Sequence, residues 1–314
     1  MTQAIAANSA RKRIRILGVR SGLGGRDPGA VGAVDSLKAS ALAERLRAGG
    51  LEPQWGEVLH ADGEDAADPS AAMARLSPRI GQAVCAARAA GDTPLVIGGD
   101  HSCAIGTWSG VHAATRARGP LGLLWIDAHL DSHTPETSHT GLIYGMPLAS
   151  LLGYGDAAFT HCLTPEPKLQ PEHVCVFGAR SYEPEERALL DRIGVRVIGM
   201  REIERRGLSA TLDEALGVVR GAGGGYGVTI DLDALDPRDA PGVGTPAPGG
   251  LRAARLIPAL EQIGSDPRLT ALEIAEYNPH RDRRGVTRQH AIGLAASVLG
   301  AKQREARRRV VRVA

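Results

Sequence analysis

Three short segments of the sequence place histidine and aspartate residues where they could bind metal ions. Each segment follows an apolar run long enough for a β-strand. In two of them the polar residues lie two positions apart, so in an extended chain they point the same way. The candidate ligands are His101, Asp127, His129, Asp131, Asp231 and Asp233.

This set of carboxylates and imidazoles predicts a pair of divalent cations. Carboxylates gathered in an apolar environment repel one another and lose hydration unless positive charge compensates them. Oxygen-rich sites with some imidazole and no thiolate favour manganese over structural zinc, with cobalt, nickel and catalytic zinc as alternatives. Two such cations can share a water molecule, lower its pKa and direct it at an electrophilic carbon. The predicted chemistry is therefore hydrolysis.

Each segment also has a structural explanation when it is considered alone. An aspartate after a strand commonly caps a helix, and a lone histidine at such a position commonly makes a structural hydrogen bond. Three independent clusters, each at a predicted strand end, make the metal-site interpretation the stronger one.

The elements that position these residues follow from the hydrophobic pattern. Apolar runs alternate with amphipathic helical segments, which is typical of βαβ units in a parallel sheet. We predict the α/β class: a single, doubly wound, three-layer α/β/α domain with a mainly parallel sheet of about eight strands. Ligands of such sheets bind beyond the carboxyl ends of the strands, where the candidate ligands lie. The predicted strands are residues 14–19, 51–58, 95–98, 122–126, 173–178, 195–199, 226–230 and 269–275. The predicted helices are residues 35–48, 72–90, 103–118, 183–193, 208–220, 251–263 and 287–299.

Three long segments interrupt this alternation, at residues 131–142, 154–171 and 236–250. Long loops in compact domains are often functional, and two of these begin close to the acidic clusters. We expect residues 13–302 to form the catalytic domain, between a flexible N-terminus at 1–12 and a basic C-terminal tail at 303–314.

The composition limits the partners and the location of the protein. Of the 314 residues, 43% are hydrophobic, enough for a sizeable core, and only 3% are aromatic, which argues against base stacking. A net charge of +2 does not indicate a polyanionic partner, and no apolar run approaches the ~20 residues of a membrane span. The four cysteines lack disulfide or metal-site spacing. These features predict a cytoplasmic protein that binds neither nucleic acid nor membranes.

The same segments resemble the signatures of the arginase, or ureohydrolase, family. GGDHS at residues 98–102, DAHLD at 127–131 and TIDLDALDP at 229–237 are similar to its three metal-binding motifs. The similarity continues through APGVGTPAPGG at 240–250 and EIAEYNP at 273–279, so it extends in order over nearly the whole chain. Within the family the chain resembles bacterial arginases most, which implies an arginase-like fold and a homotrimer or hexamer.

The resemblance implies two Mn²⁺ ions per subunit, with Co²⁺, Ni²⁺ or Zn²⁺ as alternatives. The residues that match the ligands of one ion are His101, Asp127, Asp131 and Asp231. The residues that match the ligands of the other are His129, Asp127, Asp231 and Asp233, with Asp127 and Asp231 bridging. Asp131 is also expected to take part in catalysis.

Substrate-binding residues can be carried over in the same way. Glu276 matches the carboxylate that holds the substrate guanidinium, a charge-assisted pairing that gives it a catalytic role. Glu183 and Glu186 fall where arginases place acidic residues near the substrate α-amino group. The alternative is that both are helix N-terminal acids favoured by the macrodipole. Thr140 and Thr245 are further expected substrate contacts.

The loop after the second motif departs from the family pattern. Tyr144 replaces the histidine to which proton transfer to the leaving amine is assigned, and a phenol with a pKa of about 10 matches neutral pH less well. We therefore expect activity that is lower or shifted to alkaline pH, unless His133 or His139 substitutes. His133 and Leu142 stand at the family's asparagine contacts to the substrate α-carboxylate, and Leu142 cannot make a side-chain hydrogen bond.

We interpret the chain as an amidinohydrolase of arginine metabolism that converts L-arginine to L-ornithine and urea. Agmatine, a guanidino acid or hydroxyarginine is the alternative substrate, because the carboxylate contacts have changed. A metal-binding relative of low activity, serving in binding or assembly, is the alternative that Tyr144 suggests. Nucleotide binding by the glycines of residues 18–25 is disfavoured, since their spacing misses G-x-G-x-x-G and no helix follows directly.

Overall fold

The computed structural model describes residues 11–61 and 68–302, and eight strands of this part form one sheet. The strands are β1 (Arg13–Arg20), β2 (Glu52–His60), β3 (Thr93–Ile97), β4 (Gly122–Ile126), β5 (Val174–Phe177), β6 (Arg196–Ile198), β7 (Tyr226–Asp231) and β8 (Leu269–Ala275). Their order across the sheet is β2-β1-β3-β8-β7-β4-β5-β6, and every pairing is parallel. The predicted eight-stranded α/β sheet is confirmed.

Four adjacent strands in the middle of the sheet, β3, β8, β7 and β4, are buried along their whole length. Such burial on both faces is typical of parallel sheets covered by helices. Ile97, Ile274, Ile230 and Ile126 pair in register across these strands. The residues that follow these isoleucines therefore meet at one edge of the sheet.

Helices cover both faces of the sheet and produce three layers. Along β4, Leu124 and Ile126 belong to the hydrophobic core on one face, whereas Leu123 and Trp125 belong to the core on the other. The α-helices are α1 (Ala33–Lys38), α2 (Leu42–Ala48), α3 (Pro69–Ala89), α4 (Ala104–Thr115), α5 (Pro147–Leu151), α6 (Ala157–Thr160), α7 (Pro184–Ile193), α8 (Met200–Arg206), α9 (Leu208–Arg220), α10 (Ala253–Ala259), α11 (Glu261–Gly264) and α12 (Val286–Leu299). Short 3₁₀ helices span Pro28–Gly32, His101–Cys103, Arg116–Arg118, Ile143–Gly145, Pro171–His173 and Leu232–Ala234.

Two segments predicted as single helices are each divided into two. Residues 35–48 form α1 and α2, because the hydroxyl of Ser40 donates to Leu37 O at 2.6 Å and accepts from Leu42 N at 3.2 Å. Such local side-chain bonds compete with continuation of a helix. Residues 251–263 form α10 and α11, and the division follows Pro258, which has no backbone N–H to donate.

Three short helices, α5, α6 and α8, lie where no helix was predicted. Helix α6 falls inside the predicted loop at 154–171 and begins at Asp156, whose carboxylate accepts from Ala158 N at 2.8 Å. Helix α8 follows β6 and ends at Gly207, whose φ of 89° interrupts the helix before α9. These helices lie in the connections between strands, so they do not alter the predicted number of strands in the sheet.

The predicted domain boundaries are only partly covered by the described residues. Residues 1–10 of the predicted flexible N-terminus and the predicted basic tail at 303–314 lie outside them. Within residues 11–61 and 68–302, no helix combines the length and the apolar character needed to cross a membrane.

Candidate binuclear metal site

The loops after β3, β4 and β7 carry the candidate ligands to the carboxyl edge of the sheet. Asp100 begins the 3₁₀ helix His101–Cys103 by accepting from Ser102 N at 3.1 Å. Asp231 begins the 3₁₀ helix after β7 in the same way, with its Oδ1 accepting from Asp233 N at 2.8 Å. Both aspartates therefore cap helices, and the second oxygen of Asp231 stays available to the neighbouring ligands.

His101 lies at the centre of the first group of ligands. Its Nδ1 is 2.9 Å from Asp131 Oδ2, 3.1 Å from Asp127 Oδ2 and 3.4 Å from Asp231 Oδ2. All four residues are buried. One imidazole nitrogen and three carboxylate oxygens therefore converge on one point.

The second group of ligands surrounds His129. Its Nδ1 is 3.1 Å from Asp233 Oδ2 and 3.5 Å from Asp127 Oδ1. Asp127 contributes one oxygen to each group and so joins them. The six residues predicted to bind metal thus lie in two adjacent groups, and the bridging contact predicted for Asp231 stays a prediction.

Crowding of carboxylates shifts the pKa values of the first group. Burial alone would lower the pKa of His101, but the close carboxylates of Asp127, Asp131 and Asp231 raise it well above its usual range. Burial and then the charge of Asp127 raise the pKa of Asp131 to about 8. Without cations the site therefore retains protons, as expected where buried negative charges lie close together.

Two buried atoms of the first group make no hydrogen bond. Neither His101 Nδ1 nor Asp131 Oδ2 has a partner of acceptable geometry among the described residues, although they lie only 2.9 Å apart. Asp131 also has a left-handed backbone, with a φ of 47°, which is uncommon for residues other than glycine. Buried polar atoms are normally satisfied, and a cation that takes both atoms as ligands would satisfy this pair. The oxygen and imidazole donors fit a divalent cation of the manganese type.

A row of hydrogen bonds behind the first group holds His101. Thr229 Oγ1 lies 3.0 Å from His101 Nε2 and donates to Glu273 Oε2 at 2.8 Å. Glu273 is fully buried and also accepts from Trp108 Nε1 at 3.1 Å. The ring of Trp125 stacks on His101 with 4.4 Å between centroids. Sequence reasoning missed this row, although a glutamate inside the apolar strand LTALEIA was a signal for it.

Glu276 follows β8 and lies beside the first group of ligands. Its N donates to Gly99 O at 2.8 Å, and its Oε1 accepts from His101 N at 2.9 Å. Burial and nearby carboxylates raise its pKa well above the usual range. Glu276 lines a cleft of about 560 Å³ together with Gly244, where an added Cβ would lie 3.0 Å from Glu276 Oε2. The missing side chain of Gly244 therefore leaves room for a ligand of Glu276.

Tyr144 and Thr245 line both this cleft and a smaller adjoining cavity of about 220 Å³. Thr245 Oγ1 donates to Asp233 Oδ2 at 3.2 Å, so it also supports a candidate ligand. Burial and then the charge of Glu276 raise the pKa of Tyr144. Its phenol therefore keeps its proton across the neutral range and can act as a hydrogen-bond donor.

His133, Glu183 and Glu186 form a polar group on the wall of the smaller cavity. His133 Nε2 is 3.2 Å from Glu183 Oε2 and 3.6 Å from Glu186 Oε2. The two glutamates form a capping box at the start of α7, as the helix-start interpretation expects. Burial raises the pKa of Glu186 to about 7. Their position on the cavity wall is equally compatible with a substrate contact.

The other residues predicted in this loop line the same wall. They are Thr140, His139 and Leu142. Thr140 Oγ1 accepts from Leu142 N at 3.3 Å, and the rings of His133 and His139 lie edge to face with 6.3 Å between centroids. The wall is therefore polar at Thr140 and apolar at Leu142.

Arg26 is a residue of the site that the sequence analysis missed. It lies in the loop after β1 and lines both the cleft and the smaller cavity. The glycines considered for nucleotide binding lead into this loop. Gly24 packs so closely that an added Cβ would lie 2.4 Å from side-chain oxygens of Asp100 and Ser102. The signal for Arg26 was its position after β1, whose carboxyl end lies at the same edge as the ligand loops.

Comparisons with known proteins agree with this geometry. A family model described as the Arginase family matches residues 12–300. An arginase from Bacillus caldovelox is 36% identical over 299 residues, which are 93% of this chain and 99% of that relative. An arginase from Brevibacillus brevis is 43% identical over 213 residues, which are 68% of this chain and 70% of that relative. The crystal structure of arginase from Bacillus subtilis has a TM-score of 0.86 and 34% identity, covering 93% of this chain and 99% of that one. The chain therefore belongs to the arginase family.

Proposed function

We propose that the protein hydrolyses the guanidino group of L-arginine to give urea and L-ornithine. The chain is a hydrolase of the arginase family, and the relatives that match it over most of its length are arginases. The observation that carries the proposal is the position of Glu276, which lines the cleft and accepts from the backbone of His101. A guanidinium paired with Glu276 would lie beside the first group of ligands, because Glu276 contacts His101.

For these groups we propose two manganese ions. The residues that would hold them are His101, Asp127, Asp131 and Asp231 for one ion and His129, Asp127, Asp231 and Asp233 for the other. When bound, such cations lower the pKa of water and thereby supply a nucleophile at neutral pH. Cobalt, nickel and zinc suit the same donors, and metal analysis distinguishes them.

Glu276 binds and orients the substrate in this proposal. A guanidinium is planar and stays protonated at neutral pH, so a carboxylate is the partner that suits both its charge and its shape. Burial raises the pKa of Glu276, and the arriving positive charge opposes that shift. Because Glu276 is buried, the pairing is stronger than it would be in water.

In this proposal Asp131 and Tyr144 hold and move protons. The pKa of Asp131 is about 8 without cations, and positive charge in the site lowers it, so Asp131 can accept a proton from water. Tyr144 keeps its phenolic proton and can donate a hydrogen bond to the departing amine. A phenol releases its proton less readily than an imidazolium, so we expect slower departure of the amine than with histidine at this position.

The polar group of His133, Glu183 and Glu186 supports an amino-acid substrate. The Glu183 side chain is 53% exposed, so a substrate ammonium can reach it. His133 already contacts both glutamates and competes with that ammonium. Agmatine, a guanidino acid or hydroxyarginine is the alternative substrate, because His133 and Leu142 stand at the family's contacts to the substrate α-carboxylate.

Urea release by purified, manganese-loaded protein tests the proposal. The panel is L-arginine, agmatine, 4-guanidinobutyrate and hydroxyarginine, with metal analysis of the same sample. The highest kcat/KM for L-arginine would support the proposal. A higher kcat/KM for another guanidino compound would identify that compound as the substrate. If a metal-loaded sample released no urea from any of them, the proposed hydrolysis would be refuted.

The second candidate function is that of a metal-binding member of the family with low activity. The presence of Tyr144 in the cleft favours this function. Full metal content with a turnover well below about 1 per second would support this candidate. Turnover above that value would exclude it. Substitution of Tyr144, described below, shows whether the phenol is the cause.

We further propose that the protein works in the cytoplasm as a homotrimer or hexamer. All four cysteines are unpaired, which suits a reducing compartment. The assembly is supported by the resemblance to the family. Light scattering of the purified protein measures the number of subunits.

A further inference from the structure

We propose that Arg26 binds a carboxylate of the substrate and so selects guanidino acids, such as L-arginine, over guanidino amines. This inference rests on the proposed hydrolysis and adds the residue that recognises the end of the substrate remote from the guanidinium. Arg26 and Glu276 line the same cleft of about 560 Å³. The cleft therefore contains the carboxylate of Glu276, which suits a cationic group of a substrate, and the guanidinium of Arg26, which suits an anionic group.

The loop that carries Arg26 is fixed on both sides of this residue. Before it, Gly24 O accepts from Tyr144 N at 3.1 Å, which attaches the loop to the wall of the cleft. After it, Asp27 begins a 3₁₀ helix by accepting from Gly29 N at 2.9 Å. The backbone of Arg26 is therefore held at the cleft, while its side chain is exposed.

Among the described residues, the guanidinium of Arg26 is free, in contrast to that of the other arginine of the cleft. Arg281 Nε lies 3.3 Å from Asp27 Oδ2, and its Nη1 donates to Gly244 O at 2.8 Å. Within the part of the chain that the structure describes, no carboxylate or carbonyl pairs with Arg26. A free guanidinium beside a substrate cleft suits bidentate pairing with a carboxylate.

On the wall of the smaller cavity, the two positions that replace the family's asparagines offer a carboxylate no free partner. Leu142 has no polar side-chain atom, and His133 is engaged by Glu183 at 3.2 Å. The negative charge of Glu183 would also repel a carboxylate on that wall. The distribution of charge therefore directs a substrate carboxylate to Arg26 and leaves the acidic wall to an ammonium.

Arg26→Gln separates recognition of the carboxylate from the chemistry. We expect KM for L-arginine to rise about tenfold, with kcat and the KM for agmatine, which lacks the carboxylate, changed by less than about twofold. Arg26→Lys should restore part of the affinity, because it keeps the charge without the bidentate geometry. Arg26→Glu should raise KM for L-arginine further and lower that for agmatine.

Arg281→Gln is the matched control, because it removes the other arginine of the same cleft. A rise in KM for L-arginine confined to the Arg281 variant would overturn the proposal. Equal changes in KM for L-arginine and agmatine in the Arg26 variants would overturn it too. Equal melting temperatures of all variants show that the differences do not come from misfolding.

A binding measurement keeps this inference separate from the proposed function. If the wild-type protein releases no urea, the proposed function fails, and calorimetry with L-ornithine and putrescine still tests Arg26. Weaker binding of L-ornithine alone in Arg26→Gln would support the carboxylate contact. Unchanged binding of L-ornithine would refute it.

Discussion

The imidazole Nε2 of His101 lies 3.0 Å from the hydroxyl oxygen of Thr229. That hydroxyl donates its one proton to Glu273 Oε2 at 2.8 Å, so it can only accept from His101. In the neutral ring Nε2 therefore carries the proton, and Nδ1 keeps its lone pair toward the carboxylates. A glutamate buried inside β8 thus fixes the tautomer that a metal ligand needs.

We expect Thr229→Val to weaken metal binding about 10- to 100-fold, because neutral His101 loses the acceptor that fixes its tautomer. Glu273 also loses a donor, so the free energy of unfolding should fall by about 1–3 kcal/mol. Calorimetric titration with Mn²⁺ measures the first effect, and chemical denaturation of the metal-free protein measures the second.

Thr107→Val is the matched control for this prediction. The hydroxyl of Thr107 donates to Glu273 from α4, and its other close contact is with Cys103 O rather than with His101. This variant should lose stability and retain metal affinity. Equal losses of metal affinity in both variants would contradict the role assigned to the tautomer.

Glu276→Gln should separate function from stability. Glutamine keeps an acceptor for His101 N and loses the charge that holds a guanidinium, so kcat/KM for urea release should fall about 100-fold. Burial raises the pKa of Glu276, so its charge is unfavourable in the free protein, and the variant should melt no lower than the wild type. Urea assays, metal analysis and calorimetry give the three readouts. A normal kcat/KM in a metal-loaded variant would remove Glu276 from substrate binding.

Tyr144→His should raise kcat at neutral pH by about tenfold, because an imidazole with a pKa of about 6.5 exchanges protons there more readily than a phenol. Tyr144→Phe removes the donor and should lower kcat at every pH. The raised pKa of Tyr144 keeps the wild-type donor protonated well into the alkaline range. Profiles of kcat against pH test both variants. A Tyr144→Phe variant as active as the wild type would show that the phenol donates nothing to the reaction.

Glu186→Gln should change how stability depends on pH. The folded protein raises the pKa of Glu186 from 4.5 to about 7, mainly by burial. A raised pKa stabilises the folded state below the unfolded pKa, and this contribution is lost as the pH rises through about 7. Relative to the variant, the wild type should therefore lose about 2 kcal/mol of stability between pH 5 and pH 8.

Glu185→Gln is the control for that measurement, since Glu185 lies in the same turn of α7 and is exposed. Denaturation curves at several pH values should run parallel for this variant and the wild type. Curves for Glu186→Gln that run parallel as well would show that Glu186 has no raised pKa in the folded protein.

The sheet was predictable because its central strands are buried on both faces. Such strands are continuous apolar runs, and the predicted bounds 122–126 and 269–275 match β4 and β8. The order of the strands could not be predicted, because an apolar run does not specify its neighbour. Short helices such as α6 (Ala157–Thr160) were missed since four residues are too few to show a helical period.

The grouping of the candidate metal ligands could be predicted because these polar residues follow strands whose carboxyl ends lie at one edge of the sheet. Thr229 and Glu273 lie inside strands, and they meet only because β7 and β8 pair with these two residues in register. Arg26 reaches the cleft because Gly24 packs against Asp100 from a distant loop. Both relationships depend on pairing between distant segments, which a single sequence does not show.

Asp131 and Glu276 have φ angles of 47° and 64°, where residues other than glycine are disfavoured. Each such residue carries a backbone strain of about 1–2 kcal/mol. Glycine at either position would relieve the strain and remove a carboxylate from the site. A screen that selects for thermal stability alone should therefore recover inactive variants with glycine at these two positions. At both positions, the residue that activity requires lowers the stability of the fold.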